Sequence, residues 1–313
     1  MVKFDFDVAV IGGGSAGYAT ARTTSAAGKR TVVIESSEVL GGLCILRGCM
    51  PTKALLHAAD IRFQAKRSNI WGMDPGEIGF DFGKVMQRKA DMVEEFASYR
   101  RGQLKDGRFE LIRGLAQFSD PHTLKINNGQ SITAGHIMIS TGSRVADLPL
   151  PELSQLGCIT SDDALELKSL PKSIIVLGGG AVALEFAQFF ARFDVEVTVL
   201  QRSAHILSDF DDDSGIEIEA AFRSEGITVH TGCKISAARI SGGSKVIVYE
   251  QADQTFEVEA EMVFHGLGRS PNTNSLLLEN AGVETERGRI ISSPQMRTSA
   301  PHIFAGGDCT GPH

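Results

Sequence analysis

The chain has 313 residues, 42% hydrophobic and 22% charged, with 31 lysines and arginines against 38 aspartates and glutamates, a net charge of -7. That is length enough for two packed cores, and the acidic balance speaks against nucleic acid as a partner, because phosphate contacts need clustered positive charge. The start of the chain does not read as a secretory signal, and five cysteines, an odd number, speak against an extracellular disulfide framework, so a cytoplasmic α/β protein is expected.

In chain order, a strand over Asp7–Ile11 is followed by the turn Gly12-Gly13-Gly14-Ser15-Ala16-Gly17, a helix, and a second strand ending in Glu35. Next comes Gly41-Gly42-Leu43-Cys44-Ile45-Leu46-Arg47-Gly48-Cys49-Met50-Pro51-Thr52-Lys53. Leu111–Phe118, Thr123–Asn127 and Gln130–Ser140 read as short strands, with Asn128-Gly129 as a hairpin turn. Pro149, Pro151 and Pro171 punctuate a crossing to Ser173–Leu177, the turn Gly178-Gly179-Gly180, a helix, and a strand ending at Gln201. The stretch Ile174–Ala191 is the most apolar, and its glycine turn and Glu185 make it a buried strand, turn and helix; no membrane association is expected. Lys245–Glu250 and Thr255–Leu267 complete the strands of this half.

The two strand–turn–helix–strand segments superimpose without a gap at an offset of 166 positions. Each turn follows a strand and opens a helix, the context that a dinucleotide fingerprint requires. Gly12 and Gly178 make the tight turn; Gly14 and Gly180 let backbone approach a pyrophosphate, beside Ser15 and Ala181 at the helix starts. Gly17 and its counterpart Ala183 let helix and strand pack closely. The pyrophosphate then rests on helix N-terminal N–H groups, so two units imply two dinucleotides. Glu35 ends the second strand of the first unit and suits a ribose diol. In the second unit Gln201 and Arg202 replace it, which favours the 2′-phosphate of NADPH, with NADH as the other candidate.

Cys44 and Cys49, with four residues between them on a helical run, read as lying nearly on one face and as spaced to close a small disulfide ring. No second Cys or His pair nearby completes a metal site, so no metal is expected; two unrelated buried thiols remain the alternative at this point.

The CxxxxC segment with its flanking Gly41-Gly42 and Gly48-Cys49-Met50-Pro51-Thr52-Lys53 resembles the redox-active site of the class I pyridine nucleotide-disulfide oxidoreductases. That family includes dihydrolipoamide dehydrogenase, glutathione reductase and mercuric reductase. Ser140-Thr141-Gly142, Gly268-Arg269-Ser270-Pro271-Asn272 and Ile303-Phe304-Ala305-Gly306-Gly307-Asp308 match further motifs of the family in the expected order. The resemblance implies an α/β fold of two Rossmann-like three-layer (ββα) domains, one inserted in the other. Residues 1–148 and 268–313 would bind FAD, and residues 149–267 would bind NAD(P). Cys49 is implied to lie against the flavin and Cys44 to attack the substrate disulfide; Lys53 would pair with Glu185, and Asp308 would hold the FAD ribityl chain. Gly42, Ala116, Thr141, Gly142, Gly268, Arg269 and Gly307 fall at further cofactor-binding positions.

The activity implied is FAD-dependent NAD(P)H:disulfide oxidoreduction of a small-molecule or protein-bound disulfide, closest to dihydrolipoamide dehydrogenase. The alternatives are a mercuric reductase, which the second unit most resembles, and a redox-responsive FAD/NADPH-binding module without efficient turnover. Three departures stand out. Ala181 occupies the place of an aromatic nicotinamide gate, and Arg47 puts a charge beside the thiols. The chain also ends at Gly311-Pro312-His313, where the family continues into a domain that makes the homodimer and supplies a His–Glu base. It therefore reads as a fragment, with weak dimerisation and poor turnover expected. Cys158, Cys233, Cys309, His57, His205 and His265 are expected to be packing or surface residues, and Asp209–Asp213 a solvated helix start.

Overall fold

The structure, a computed structural model, describes residues 3–311; Pro312 and His313 lie outside the described residues. The chain divides into two compact units. One comprises the residues up to 46, 93–145 and those from 269 on; the other comprises 47–92 and 146–268.

In the first unit, β1 (Phe6–Ile11), α1 (Ser15–Ala26) and β2 (Thr31–Glu35) form the first strand–turn–helix–strand motif. Both strands are apolar and β2 is buried throughout, as a parallel strand covered on both faces must be. The short α2 (Leu43–Leu46) leads to α3 (Cys49–Lys66) and then to the long α4 (Phe82–Lys105). The chain returns through β3 (Glu110–Arg113), β4 (Ala116–Asp120), β5 (Thr123–Ile126), β6 (Ser131–Ile139) and β7 (Ser143–Val145). β3-β2-β1-β6 run parallel in that order, and β5 and β4 branch antiparallel from the first half of β6. The expected strand over Leu111–Phe118 is thus two strands. Gly114, at φ +152, breaks it, and its N–H bonds Glu35 O at 3.0 Å, so β3 joins the parallel layer and β4 the antiparallel one. Asn128-Gly129 forms the hairpin turn between β5 and β6, with Gly129 at φ +92.

In the second unit, α5 (Pro151–Gln155) carries proline in its first turn, and α6 (Ser161–Ala164) opens with a capping box between Thr160 and Asp163. β8 (Ser173–Leu177), α7 (Ala181–Arg192) and β9 (Glu196–Leu200) repeat the first motif, and both helices fall at the predicted offset. α8 (Asp212–Ser224) starts with Asp212 and Asp213 in its first turn, where carboxylates favour the helix dipole. β10 (Thr228–His230) pairs with β9, giving the parallel order β10-β9-β8-β14 with β14 (Met262–His265). β11 (Lys234–Ser241), β12 (Ser244–Gln251) and β13 (Gln254–Ala260) form a separate antiparallel sheet. The expected strand over Thr255–Leu267 is therefore split at Glu261 between the two sheets.

Residues 47–92 pack with this second unit. α3 lies against α7, and Arg192 of α7 bonds Glu225 bidentately at 2.7 and 2.8 Å as well as Asp60 of α3. Arg62 of α3 bonds Arg192 O and Asp194, with its guanidinium 4.7 Å over the Phe80 ring.

The chain completes the first unit with β15 (Arg269–Pro271), the short pair β16 (Thr285–Glu286) and β17 (Arg289–Ile290), and β18 (Ile303–Ala305), which adds parallel to β6. Among the described residues no helix is long and apolar enough to cross a membrane.

Candidate active site

In the first unit the glycine turn is dictated by contact. Gly12 sits at φ +100, and a Cβ there would lie 2.4 Å from Ser140 O. Gly42, at φ +78, lies so close that its Cβ would meet Gly14 Cα at 2.6 Å. Gly14 caps α1 with no side-chain hydrogen bond and no acid follows in the first turn, which leaves the N-terminal N–H groups for an anion. Glu35, buried at the end of β2, accepts Gly13 N–H on Oε2 at 2.7 Å and Ser37 N–H on Oε1 at 2.8 Å. Each oxygen keeps a lone pair for a ribose hydroxyl.

The other first-unit motifs meet through Ser143. Its hydroxyl donates to Asp308 Oδ2 at 2.6 Å and accepts from Arg269 Nε at 2.8 Å. Asn272 holds the preceding turn by donating to Thr141 O at 3.2 Å from its side chain and to Gly142 O at 3.0 Å from its backbone. Thr141 Oγ1 is buried without a hydrogen-bond partner. Gly307 is in a positive-φ turn beside Asp308, and Ala116 is buried at the start of β4. Ser143 was not singled out from sequence, and Asn272 only as the last residue of the Gly268–Asn272 motif. The signal available was the Ser270-Pro271-Asn272 run after Arg269, but the pairing of β15 with β7 that makes it a clamp is long-range.

In the second unit the turn repeats: Gly178 is at φ +107, and its Cβ would lie 2.4 Å from Gly266 O. Gly180 caps α7 without a side-chain bond and faces open space, with Ala181 exposed beside it and Ala183 buried one turn on. Gln201 is turned back onto its own loop: Nε2 donates to His205 O at 3.3 Å, and Oε1 accepts Arg202 N–H at 3.2 Å. The Arg202 side chain is exposed, and Gly268 closes this segment at φ +109.

Cys44 is half-buried on α2, and Cys49 is exposed as the first residue of α3; both carry thiols. The single helical run expected across them is interrupted at Arg47-Gly48, where Gly48 adopts φ -127, ψ -119. Lys53, one turn beyond Cys49, is ion-paired with Glu185 Oε1, one turn into α7. The Arg47 guanidinium, between the two cysteines in sequence, is 3.4 Å from Asp162 Oδ2. Burial raises the Cys158, Cys233 and Cys309 thiols above the ordinary range, which suits packed side chains. His265 is buried, with Nε2 2.7 Å from Ala146 O.

Residues 6–313 match the pyridine nucleotide-disulphide oxidoreductase family. The chain belongs to this family. It is 35% identical over 316 residues to the dihydrolipoyl dehydrogenase of Geobacillus stearothermophilus, covering 98% of this chain and 67% of the relative. It is 32% identical over 308 residues to the mercuric reductase of Staphylococcus aureus, covering 98% of this chain and 56% of that protein. Among solved structures, the HOCl-induced flavoprotein disulfide reductase RclA from Escherichia coli matches with a TM-score of 0.84 and 30% identity over 98% of this chain and 67% of that one. These similarities make the chain a flavoprotein disulfide oxidoreductase of the FAD- and NAD(P)H-using type.

The first unit fits FAD as an oxidoreductase of this family needs it. The open N-terminus of α1, the Gly14–Gly42 approach, the Glu35 carboxylate and the unpartnered Thr141 hydroxyl are groups that a dinucleotide would satisfy. When bound, FAD supplies the two-electron transfer between nicotinamide and thiols.

Proposed function

We propose that the chain forms the nucleotide-binding and dithiol portion of an NADPH-dependent reductase of small-molecule or protein-bound disulfides. The observation that carries this reading is the Lys53–Glu185 pair. It ties the helix that begins at Cys49 to the helix that begins at the second glycine turn. A pair as exposed as this one contributes at most about 1 kcal/mol to stability, so its value lies in orientation.

In this reading Cys44 attacks the substrate disulfide as a thiolate. One sulfur bond forms to Cys44, and the displaced sulfur leaves and takes a proton. Cys49 then attacks Cys44, releases the second thiol, which takes a proton, and closes the Cys44–Cys49 disulfide; FAD and NADPH, when bound, would supply the two electrons that return it to dithiol. The net change is NADPH + H+ + RSSR to NADP+ + 2 RSH. Asp308, Arg269, Thr141, Gly142 and Gly307 hold the FAD side; Gly178, Gly180, Ala181, Ala183, Gln201 and Arg202 hold the NADPH side. The odd count of five cysteines suits the cytoplasm, and a homodimer is the assembly expected of a full-length enzyme of this type.

The test is an anaerobic NADPH titration of the FAD-loaded protein. A long-wavelength absorbance band that is lost in Cys49→Ser, with disulfide reduction lost in Cys44→Ser, is the expected result. Bleaching of the flavin without such a band would overturn the assignment of Cys49.

A further inference from the structure

The loop that leaves β2 is joined to the Glu35 carboxylate, yet its own backbone does little to hold it. Among the described residues Ser36, Ser37 and Glu38 make no backbone–backbone hydrogen bond. Ser37 is held from two sides instead. Its N–H donates to Glu35 Oε1 at 2.8 Å, and its carbonyl accepts from Nη2 of Arg113, the last residue of β3. Arg113 is exposed and has no salt bridge among the described residues, so its charge is directed at that carbonyl.

The second repeat ties down the same place with a different donor. At the offset of 166 positions, Glu35 corresponds to Gln201 and Ser37 to Ser203. Glu35 O accepts Gly114 N–H at 3.0 Å, and Gln201 O accepts Cys233 N–H at 2.9 Å. Ser203 O accepts Gly232 N–H at 2.8 Å, where Ser37 O takes the Arg113 guanidinium. Gly232 reaches its carbonyl from a turn at φ +68. Arg113 instead lies in the parallel ladder, in register with Glu35, and only its side chain is available for the task. A carbonyl secured in both repeats by unlike donors points to the nucleotide site, which is what the repeats share.

We propose that Arg113 is a positioning residue for FAD: by holding Ser37 it keeps the Ser37 N–H on Glu35 and so aims that carboxylate at the adenosine ribose. The proposal rests on the reading of Glu35 as the ribose-binding group. A charge-assisted bond to a carbonyl is stronger than a neutral one, which suits a loop with no ladder of its own. Without it, Glu35 Oε1 loses the donor that fixes its rotation, while Oε2 keeps Gly13 N–H. The carboxylate then stays in place but is poorly aimed.

The experiment titrates apoprotein with FAD, and with an FAD analogue that lacks the 2′-hydroxyl of the adenosine ribose, following flavin fluorescence. Wild type, Arg113→Lys and Arg113→Met are compared, and the Tm of each apoprotein is recorded. Wild type is expected to favour FAD over the analogue by about 10-fold. Arg113→Met should raise the Kd for FAD by about 10-fold and leave that for the analogue nearly unchanged, so that the preference disappears. An ammonium can give one N–H to the same carbonyl, so Arg113→Lys should keep part of the preference. The apoprotein Tm should not change, because the side chain is exposed.

Equal weakening of FAD and analogue in Arg113→Met, or no weakening of either, would overturn the proposal and leave Arg113 a tether of the loop. If Arg113→Met lowers the apoprotein Tm, Arg113→Lys decides alone, and a preference as large as that of wild type overturns the proposal. A failure of the Glu35 reading has its own signature: wild type would bind FAD and the analogue equally well, and the proposal would fall with it.

Discussion

Glu35 and Gln201 occupy equivalent places in the two repeats and differ by a single atom, yet they are held in opposite ways. Glu35 is tied to the glycine turn through Gly13 N–H, whereas Gln201 is tied to the loop after its strand through Arg202 N–H and His205 O. A carboxylate at 201 would lose the Nε2 bond to His205 O and bring a negative charge to the place where a 2′-phosphate would sit. Like charges so placed cost enough to change affinity by more than about 10-fold. Gln201→Glu is therefore expected to raise KM for NADPH by about 10-fold or more and to leave NADH use unchanged or improved. Steady-state flavin reduction with each nucleotide checks it; an unchanged KM for NADPH would place the phosphate elsewhere. Residues of this kind were legible in the sequence because each stands at a fixed distance from a glycine turn. The stacking of Arg100 on Tyr18 was not, because α4 meets that ring only after the chain folds back.

The elements show the same repeat solved with two different sizes of contact. In the first, Gly17 faces Ser140: a Cβ at Gly17 would lie 1.8 Å from Gly12 O and 2.5 Å from Ser140 Oγ. In the second, Ala183 stands in place of Gly17 and Gly266 in place of Ser140, and a Cβ at Gly266 would lie 2.6 Å from Ala183 Cβ. The bulk has moved from strand to helix. Gly266→Ser should therefore destabilise the second unit by about 1–3 kcal/mol through overpacking. Adding Ala183→Gly should recover part of that loss, even though glycine in a helix costs up to about 1 kcal/mol. Hydrogen exchange of β8 and α7 in the single and double variants measures this, and purely additive losses would show that the two positions do not couple. The repeat itself was readable because local glycines and apolar runs announce it. The splitting of Leu111–Phe118 and of Thr255–Leu267 was not, because Gly114 and Glu261 read as interior strand positions until parallel and antiparallel partners compete for either side.

For the whole molecule, the charges set a window of stability. Asp5, Asp7, Asp106, Asp120, Asp194 and Glu257 are all held below the usual carboxylate range, chiefly by hydrogen bonds from backbone or side-chain donors. Their unfolded forms take up protons first as pH falls, so stability is lost below about pH 4. At the other end, Cys158, Cys233 and Cys309 are raised by burial, so the unfolded chain ionises first and stability is lost above about pH 8.5. A plot of Tm against pH should be flat from about pH 8.5 down to about pH 6.5, below which the imidazole of His230, held down by burial, begins to cost stability, and should fall further below about pH 4 and again above about pH 8.5. The fold class was legible at this scale from the repeat, and the resemblance implied that one unit is inserted in the other. The attachment of residues 47–92 to the second unit was not, because it depends on arginines of α3 and α7 that sequence presents as surface charge.

The exchange of bulk between Gly17/Ser140 and Ala183/Gly266 also constrains how duplicated units of this kind diverge. Of the four combinations, the one with both positions large has no room, while the one with both small leaves only a void of about a methyl group. A path from one arrangement to the other therefore runs through the doubly small form and also needs Gly12 O to withdraw, since it would stand 1.8 Å from a Cβ at position 17. Substitutions at this pair are ordered in time as well as matched in space.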